Sequence, residues 1–455
     1  MTPPGRRPPA ARASAAGAVA DAAGRGIGTA GRGVGTAGRG IGTVGGVIGT
    51  SGEAVGALPP ERLHRLRVAQ LTILASVGLL TVVGLFMTMS AHTISALTDG
   101  ESPYRAGLNQ AVFALIGAVI GVILAHTHRL LGRAVAWTAL LATLALQALV
   151  QFTSLGRGEY GNRNWLDLGF TQIQPAEFIK FGLALWLGSV LAYKKNVLTR
   201  WGDLVVPGLI GIAAGMGLVL KGDDAGTALV IGLMAFGALV LAGVPWSKLA
   251  LLAGSLGAVG VIIVAGAEHR LNRLMVAINP EACEELADQC WQIRQAEYSL
   301  ASGGWFGAGL GASRGKWSYL SQAESDFIFA IIGEELGLLG ALTVLALFGA
   351  LGFGLFQVVR WHPSRPVQIA VGTIACWIEG QALVNIGMVI KLLPVIGVPL
   401  PFVSAGGSAL IACLAAIGVV FGLMRTDPEV KAALAVRSRR AGRVAAVTDQ
   451  VGARP

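Results

Sequence analysis

The sequence predicts an all-α polytopic membrane protein of about ten transmembrane helices, with one long structured extracellular loop between spans 7 and 8. Three observations carry that reading. Of 455 residues, 54% are hydrophobic and 13% charged, and the mean hydropathy is +0.65; soluble domains carry about 25% charged residues. Apolar windows long enough to cross a bilayer recur along the chain. Lysine and arginine crowd every second connecting loop.

The spans fall at about 70–91, 108–126, 131–151, 176–193, 204–220, 227–243, 249–267, 327–356, 367–390 and 402–424. Lys221-Gly-Asp-Asp-Ala-Gly226 divides the fifth from the sixth and reads as a very short hairpin. Arg62, Arg65 and Arg67 precede the first span. Arg129 and Arg133, Lys194, Lys195 and Arg200, Lys248, and Arg360 and Arg365 then fill alternate loops. Arg425, Lys431 and a cluster from Arg437 to Arg440 follow the last span. Ten spans put all of these on one side, which makes both termini cytoplasmic. The net charge of +10 is thus a signal of topology and anionic lipid, and no nucleic-acid partner is expected.

Residues 1–64 read as a disordered, basic, Gly-rich cytoplasmic tail. A seven-residue repeat, Ala23-Gly-Arg-Gly-Ile-Gly-Thr29, recurs at 30–36 and 37–43. Glycine at nearly every second position disfavours a helix, and no apolar run there is long enough for a signal peptide. Residues 426–455 form a second basic tail, and 65–425 the transmembrane body.

Polar residues collect in four segments on the outer side. The first runs from Gly158 through Arg163, Trp165 and Asp167 to Gly169, then Gln174-Pro-Ala-Glu177-Phe-Ile-Lys180. Glu177 and Lys180, three apart at a helix start, share a face and can neutralise each other. The second is the Asp223-Asp224 hairpin, whose Gly226-Thr227 suits a turn into a helix. The third is the loop 268–325, too long for a simple connector. Trp291, Trp305, Trp317, Tyr298 and Tyr319 argue against disorder there, 292–301 reads as helix, and 303–311 as a glycine-rich turn. Arg270, Arg273, Arg294, Arg314 and Lys316 face Glu284, Glu285, Asp288 and Glu297 in charge. The fourth runs from Asn385 through Lys391, Pro394, Gly397, Pro399, Pro401, Ser404, Gly406 and Gly407 to Ser408. Such broken backbone near membrane depth is tolerated only against protein or a wet cavity. Asn385, Pro399, Pro401, Gly406 and Gly407 are therefore read as shaping the break.

Asp326-Phe-Ile-Phe-Ala-Ile-Ile-Gly-Glu-Glu335 heads the eighth span with three carboxylates. An ionisable group within a span costs at least ~2.5–3.5 kcal/mol. Asp326 can sit at the water boundary on the positive end of the helix dipole. Glu334 and Glu335 lie roughly 12–14 Å further along and need partners, so they are read as structural. Cys376 and Cys413, within spans, are small apolar fillers. Cys283 and Cys290, in the outer loop on the oxidising side, are disulfide candidates, and no spacing suggests metal ligands.

Taken in order, the blocks around Trp165, Gln174–Lys180, Asp224–Thr227, Asp326–Glu335 and Asn385–Ser408 resemble the signatures of the SEDS (shape, elongation, division, sporulation) family. These are the FtsW/RodA-type peptidoglycan polymerases, and the resemblance covers about residues 65–425. Gly309-Leu-Gly-Ala-Ser313, Lys316-Trp-Ser-Tyr-Leu320 and Ile331-Ile-Gly-Glu-Glu335 look closest to the cell-division (FtsW) branch. Lys391 and Ala405 depart from the family pattern, where a small residue and a tyrosine are usual.

The resemblance implies an enzyme that polymerises lipid II at the outer face of the bacterial cytoplasmic membrane, at the division septum. A sugar hydroxyl would attack an anomeric carbon with inversion and displace undecaprenyl pyrophosphate. That chemistry calls for a general base and for cationic compensation of the leaving group. The family's acid lies in the outer loop. Counting back from Trp291-Gln292 places it at Glu285; counting forward from Asn279-Pro280 reaches Cys283, so the loop carries an insertion. Asp288 keeps the residue type out of register and is the alternative base. Trp165 matches a functional family tryptophan. Substrate contacts are expected from Arg163, Lys180, Glu177, Asp224, Arg294, Asp326, Ser404 and Ser408, with Arg163, Lys180 and Arg294 the candidates for pyrophosphate. The implied partners are lipid II, a class B penicillin-binding protein and other division proteins. A divalent cation, Mg or Mn, is the only cofactor with a chemical rationale. The rival readings are a lipid II flippase, an elongation-type (RodA) polymerase and a weakly active division scaffold. Acids and broken helices gathered on one face, without an evident inverted repeat, favour the enzyme.

Overall fold

A computed structural model describes residues 59–431, except 99, 101, 103, 128, 160–161, 170, 193–199, 267–270, 273, 276–286, 317–319, 321 and 428–429. The expectations for the tail before residue 59 and for the basic tail after 431 lie outside the described residues. The membrane body opens with α1 (Pro60–Thr98), α2 (Tyr104–His126), α3 (Arg133–Phe152) and, after a small sheet, α4 (Pro175–Ala192). It continues with α5 (Ile210–Lys221), α6 (Ala225–Ala242), α7 (Trp246–Ala265), α8 (Ala287–Ser302), α9 (Ile328–Trp361), α10 (Arg365–Val389) and α11 (Gly407–Met424). All of these but α5, α7 and α8 are long and apolar enough to cross a membrane, eight helices among the described residues. Helices α5 and α7 fall at the fifth and seventh expected spans, and α8 is the helix expected in the outer loop.

Helix α5 is only 12 residues long because the chain before it is broken. Val206 has φ −109° and ψ 117° inside a π-helical turn over Val205–Leu209, the extended conformation that a following proline, here Pro207, imposes. One element was not expected of an all-α chain. Strands β1 (Gly156–Glu159), β2 (Asn162–Asp167) and β3 (Gln172–Ile173) form an antiparallel sheet in that order. In β2 burial alternates with the pleat, Asn164 and Leu166 inward and Arg163 outward.

Helices α1 and α9 run antiparallel and are tied at both ends. At one end the Arg65 guanidinium lies 5.9 Å from the Trp361 ring centre. At the other, the Ser90 hydroxyl contacts both Glu335 oxygens, at 2.7 and 2.9 Å. Twenty-five residues separate Arg65 from Ser90 and twenty-six separate Glu335 from Trp361, about 38 Å of helix in each case. Helix α9 has 34 residues, about 51 Å, against a hydrocarbon core of ~30 Å. Helix α9 is thus longer than the hydrocarbon core is thick, and Glu334 and Glu335 lie in its first turns, at the end away from Arg360 and Trp361.

A break in α9 receives the glycine-rich turn of the outer loop. Gly337 has φ 69° and ψ −168°, which interrupts the hydrogen-bond ladder. The turn restores it from outside. Ala308 N and Gly309 N donate to Glu334 O and Glu335 O at 2.9 and 3.1 Å, while Leu338 N and Leu339 N donate to Gly304 O and Trp305 O at 2.9 and 3.3 Å. A Cβ on Gly307 or Gly337 would overlap the facing backbone, so the close approach needs glycine on both sides.

Candidate functional site

The four polar segments converge on one cavity of about 720 Å³. Asn164 and Trp165 of β2, and Gln174 ahead of α4, line one side; Asp223, Asp224 and Thr227 come from the α5–α6 hairpin. Gln322, Glu324, Ser325 and Asp326 end the outer loop, Pro394, Pro399 and Gly406 come from the broken segment after α10, and Ser408 comes from the first turn of α11. Gln292 of α8 also reaches the lining, and Leu256, Val259 and Val264 of α7 form an apolar wall.

Each polar side is held by its own fold. Asp224 is the N-cap of α6, where its Oδ1 accepts the Thr227 N–H at 2.8 Å, satisfying an orphan amide of the first turn. Its Oδ2 accepts from Gln174 Nε2 at 3.3 Å. Burial pushes the carboxyl above its ordinary range; the Thr227 hydrogen bonds oppose that and Glu177 adds to it. Asp223, at φ 62°, turns the hairpin.

The broken segment after α10 has its backbone satisfied by distant side chains. Asn385 Nδ2 donates to Asp326 O at 2.8 Å and to Val398 O at 2.7 Å. Ser404 Oγ donates to Ser325 O at 2.5 Å and accepts from Leu400 N at 2.7 Å. Ala405 N donates to Glu324 O at 2.8 Å, and Gln174 N to Ser408 Oγ at 3.1 Å. Pro401 is buried beside this network. Non-regular backbone at this depth is thereby paired with protein rather than left open.

Of the expected substrate contacts, Trp165, Asp224, Asp326 and Ser408 line the cavity. Ser404 does not, and acts through Ser325 and Leu400. Lys180 and Glu177 are also behind the lining, each side chain 1% exposed. Lys180 Nζ donates to Glu177 Oε1 at 2.8 Å and to Gln381 Oε1 at 2.7 Å, and it sits 5.2 Å from the Trp377 ring. Gln381 Nε2 continues to Pro399 O at 2.8 Å. Lys180, expected at the pyrophosphate, thus stands in a buried strut from α4 to α10 and the broken segment. The Glu177 pairing was legible from the three-residue spacing; the second acceptor, Gln381 on α10, was not. Arg163 is exposed and donates to Thr153 O at 2.6 Å; Arg294 is exposed on α8; neither is on the lining.

Glu334 and Glu335 clasp the outer loop. Glu334 accepts from Ser313 Oγ at 2.6 Å, Arg314 N at 2.7 Å and Gly315 N at 3.2 Å. Glu335 pairs with Lys316 at 3.1 Å, the two side chains 0% and 3% exposed. Glu285 and Cys283 lie outside the described residues. Asp288 is in the first turn of α8, one helical turn before Gln292. Cys290 is disulfide-bonded, and Cys376 and Cys413 are free.

Glu324, Asp223 and Gln292 are lining residues that the sequence reading did not single out as site residues. Glu324 had a signal, two residues before Asp326 at the end of the polar loop. The described lining thus holds four carboxylates and no lysine or arginine. Among the described residues, no three of His, Cys, Asp or Glu group as a metal-ligand set.

A family model described as a cell cycle protein of FtsW, RodA and SpoVE type matches residues 70–428. The chain belongs to this family. It is 35% identical over 374 residues to a probable peptidoglycan glycosyltransferase FtsW of Mycobacterium tuberculosis, covering 82% of this chain and 70% of that protein. Stage V sporulation protein E of Bacillus subtilis is 32% identical over 351 residues, 76% of this chain and 94% of that one. The crystal structure of the rod shape determining protein RodA of Thermus thermophilus is similar with a TM-score of 0.57 and 27% identity, over 77% of this chain and 95% of that chain. A chain from a peptidoglycan synthase complex, solved for its coordination of polymerization and crosslinking, reaches 0.63 at 25% identity, over 78% and 97%. Family membership and the apolar helices together make this a multi-pass membrane protein.

Proposed function

We propose that this family member is a peptidoglycan glycosyltransferase that polymerises lipid II into glycan strands at the outer face of the cytoplasmic membrane, in septal wall synthesis. The observation that carries the reading is the cavity itself. Four polar segments form its floor and roof, while α7 gives it an apolar wall. An amphiphile with a sugar head and a polyprenyl tail needs both surfaces in one site. Both termini are assigned to the cytoplasm by the arginine and lysine pattern, which puts the cavity on the outer side.

The reaction needs a base within hydrogen-bond reach of the attacking hydroxyl. The outer loop supplies the candidates, Glu285 by register and Asp288 by residue type. Asp288 has the added support of its place one turn before Gln292, a lining residue. Trp165, half-buried at the lining, offers an apolar ring face with a polar edge. Asp326 and Ser408 offer acceptors and a hydroxyl for sugar groups. The four lining acids would repel a pyrophosphate, so its charge must be met at the rim or by a companion ion. Arg163 and Arg294 are the candidates at the rim, and a magnesium or manganese ion would share its coordination between phosphate oxygens and the protein. The partner is a class B penicillin-binding protein, consistent with a structural relative that was solved in a synthase complex.

The test is polymerisation of purified lipid II by the full chain with its class B partner, read on a glycan-strand gel. Wild type should give strands, and either Glu285→Gln or Asp288→Asn should abolish them. Strands from both variants would overturn the base assignment. No strands under any condition, with lipid II crossing vesicle bilayers instead, would overturn the enzyme reading in favour of a flippase.

A further inference from the structure

The tip of the glycine-rich turn takes no part in the cavity. Trp305, Phe306 and Leu310 there are 66%, 83% and 68% exposed, and no charged residue occurs from Gly303 to Ala312. The tip is fastened to α9 by the hydrogen bonds that close the break at Gly337. Below it, Leu338, Leu342, Leu345, Phe353 and Phe356 are all exposed. Their spacing of three, four and eight residues makes one continuous stripe down α9, a helix apolar enough to cross a membrane.

The height of the tip follows from the helix. Twenty-four residues separate Gly337 from Trp361, about 36 Å. Hydrocarbon spans ~30 Å, and ~40–45 Å with both headgroup layers. With Arg360 and Trp361 at the inner interface, Trp305 stands at the outer one, where tryptophan is favoured.

We propose that the Trp305–Phe306 tip inserts into the outer leaflet at the headgroup boundary and anchors the long outer loop to the lipid surface. The occupant is lipid because the tip stands at headgroup height, where tryptophan is favoured, and continues an exposed apolar stripe on a helix of membrane-crossing length. Helix α8 ends at Ser302, directly before the tip, so the anchor fixes the height at which α8 delivers Gln292 to the cavity. The inference rests on the fold and stands apart from the assignment of the reaction.

The full chain in phosphatidylcholine–phosphatidylglycerol vesicles, with or without acyl-chain bromination, provides the test. Of the 10 tryptophans, the contribution of Trp305 is the emission of wild type minus that of Trp305→Phe, a substitution that keeps an aromatic ring. That difference emission should lose about half its intensity or more in brominated vesicles, as an interfacial ring would, and should resist aqueous iodide. Phe306→Trp, introduced into the Trp305→Phe chain, should report the same pattern. Quenching by iodide without quenching by brominated lipid would overturn the proposal. Shielding from both quenchers that appears only when the class B partner is added would also overturn it, making the tip a protein-docking surface.

Discussion

The buried Lys316–Glu335 pair makes a prediction whose sign is unusual. Lys316 Nζ uses all three donors, to Gly311 O at 2.7 Å, Glu335 Oε1 at 3.1 Å and Ser90 Oγ at 3.2 Å. Lys316→Met would leave the Glu335 charge with only the Ser90 hydroxyl and a 3.4 Å contact from Ser313 N. Removing one partner of a buried pair costs about 3–5 kcal/mol. Glu335→Leu would strand the ammonium on Ser90 and Gly311 O, at a similar cost. The double variant removes both charges and leaves the Ser90 hydroxyl and the Gly311 carbonyl short of partners, about 1–3 kcal/mol. The double variant should therefore be about 2 kcal/mol more stable than either single one. Unfolding in mixed micelles titrated with sodium dodecyl sulfate, followed by circular dichroism, measures all four chains. Losses that simply add would refute the account, because they would mean that neither charge depends on the other.

Four further outcomes follow from the geometry. Burial raises the Asp224 carboxyl, so the folded chain binds that proton more tightly than the unfolded chain. Its contribution to stability is full below the ordinary carboxylate range and is lost as pH rises through the elevated folded value. Asp224→Asn keeps an N-cap and should flatten the melting temperature against pH from about pH 4 upward; curves parallel to wild type would count against this. Gly307→Ala should prevent recovery of folded protein, judged by size-exclusion profile, because its Cβ would overlap Glu335 O. Gly304→Ala, at φ 55° with open space around it, should cost only about 1–2 kcal/mol in the same unfolding titration. Lys391→Ala should change stability by no more than ~1 kcal/mol, because its ion pair with Glu297 joins side chains 42% and 54% exposed.

What could be read ahead from the sequence was what depends on local composition. The spans were visible because apolar windows of bilayer length need no partner to be recognised. Counting charges in loops put the polar blocks on one side, and those blocks do share a cavity. Contacts between residues far apart in sequence were not visible. Nothing near Ser90 signals Glu335, and nothing near Gln174 signals Ser408. The place of Lys180 behind the lining was hidden for the same reason, since its pairing with Gln381 spans 201 residues. The sheet over Gly156–Ile173 escaped because its strands are two to six residues long and rich in glycine and asparagine, which disfavour strands. The register of the outer-loop acid stayed open because an insertion separates the two motifs that would fix it.

The double fastening of α1 to α9 has a consequence for the membrane that surrounds them. With Arg65 over Trp361 at one end and Ser90 bound to Glu335 at the other, sliding either helix along its partner would break both contacts. The pair acts as a gauge block whose length is set by side chains. A bilayer thinner or thicker than this gauge cannot be met by telescoping the two helices. Hydrophobic mismatch must then be taken up by the lipid, or by tilt of less constrained spans. Helix α7, exposed along much of its length, is the span with most freedom to tilt, and it is also the apolar wall of the cavity. Bilayer thickness should therefore reach the site through that wall.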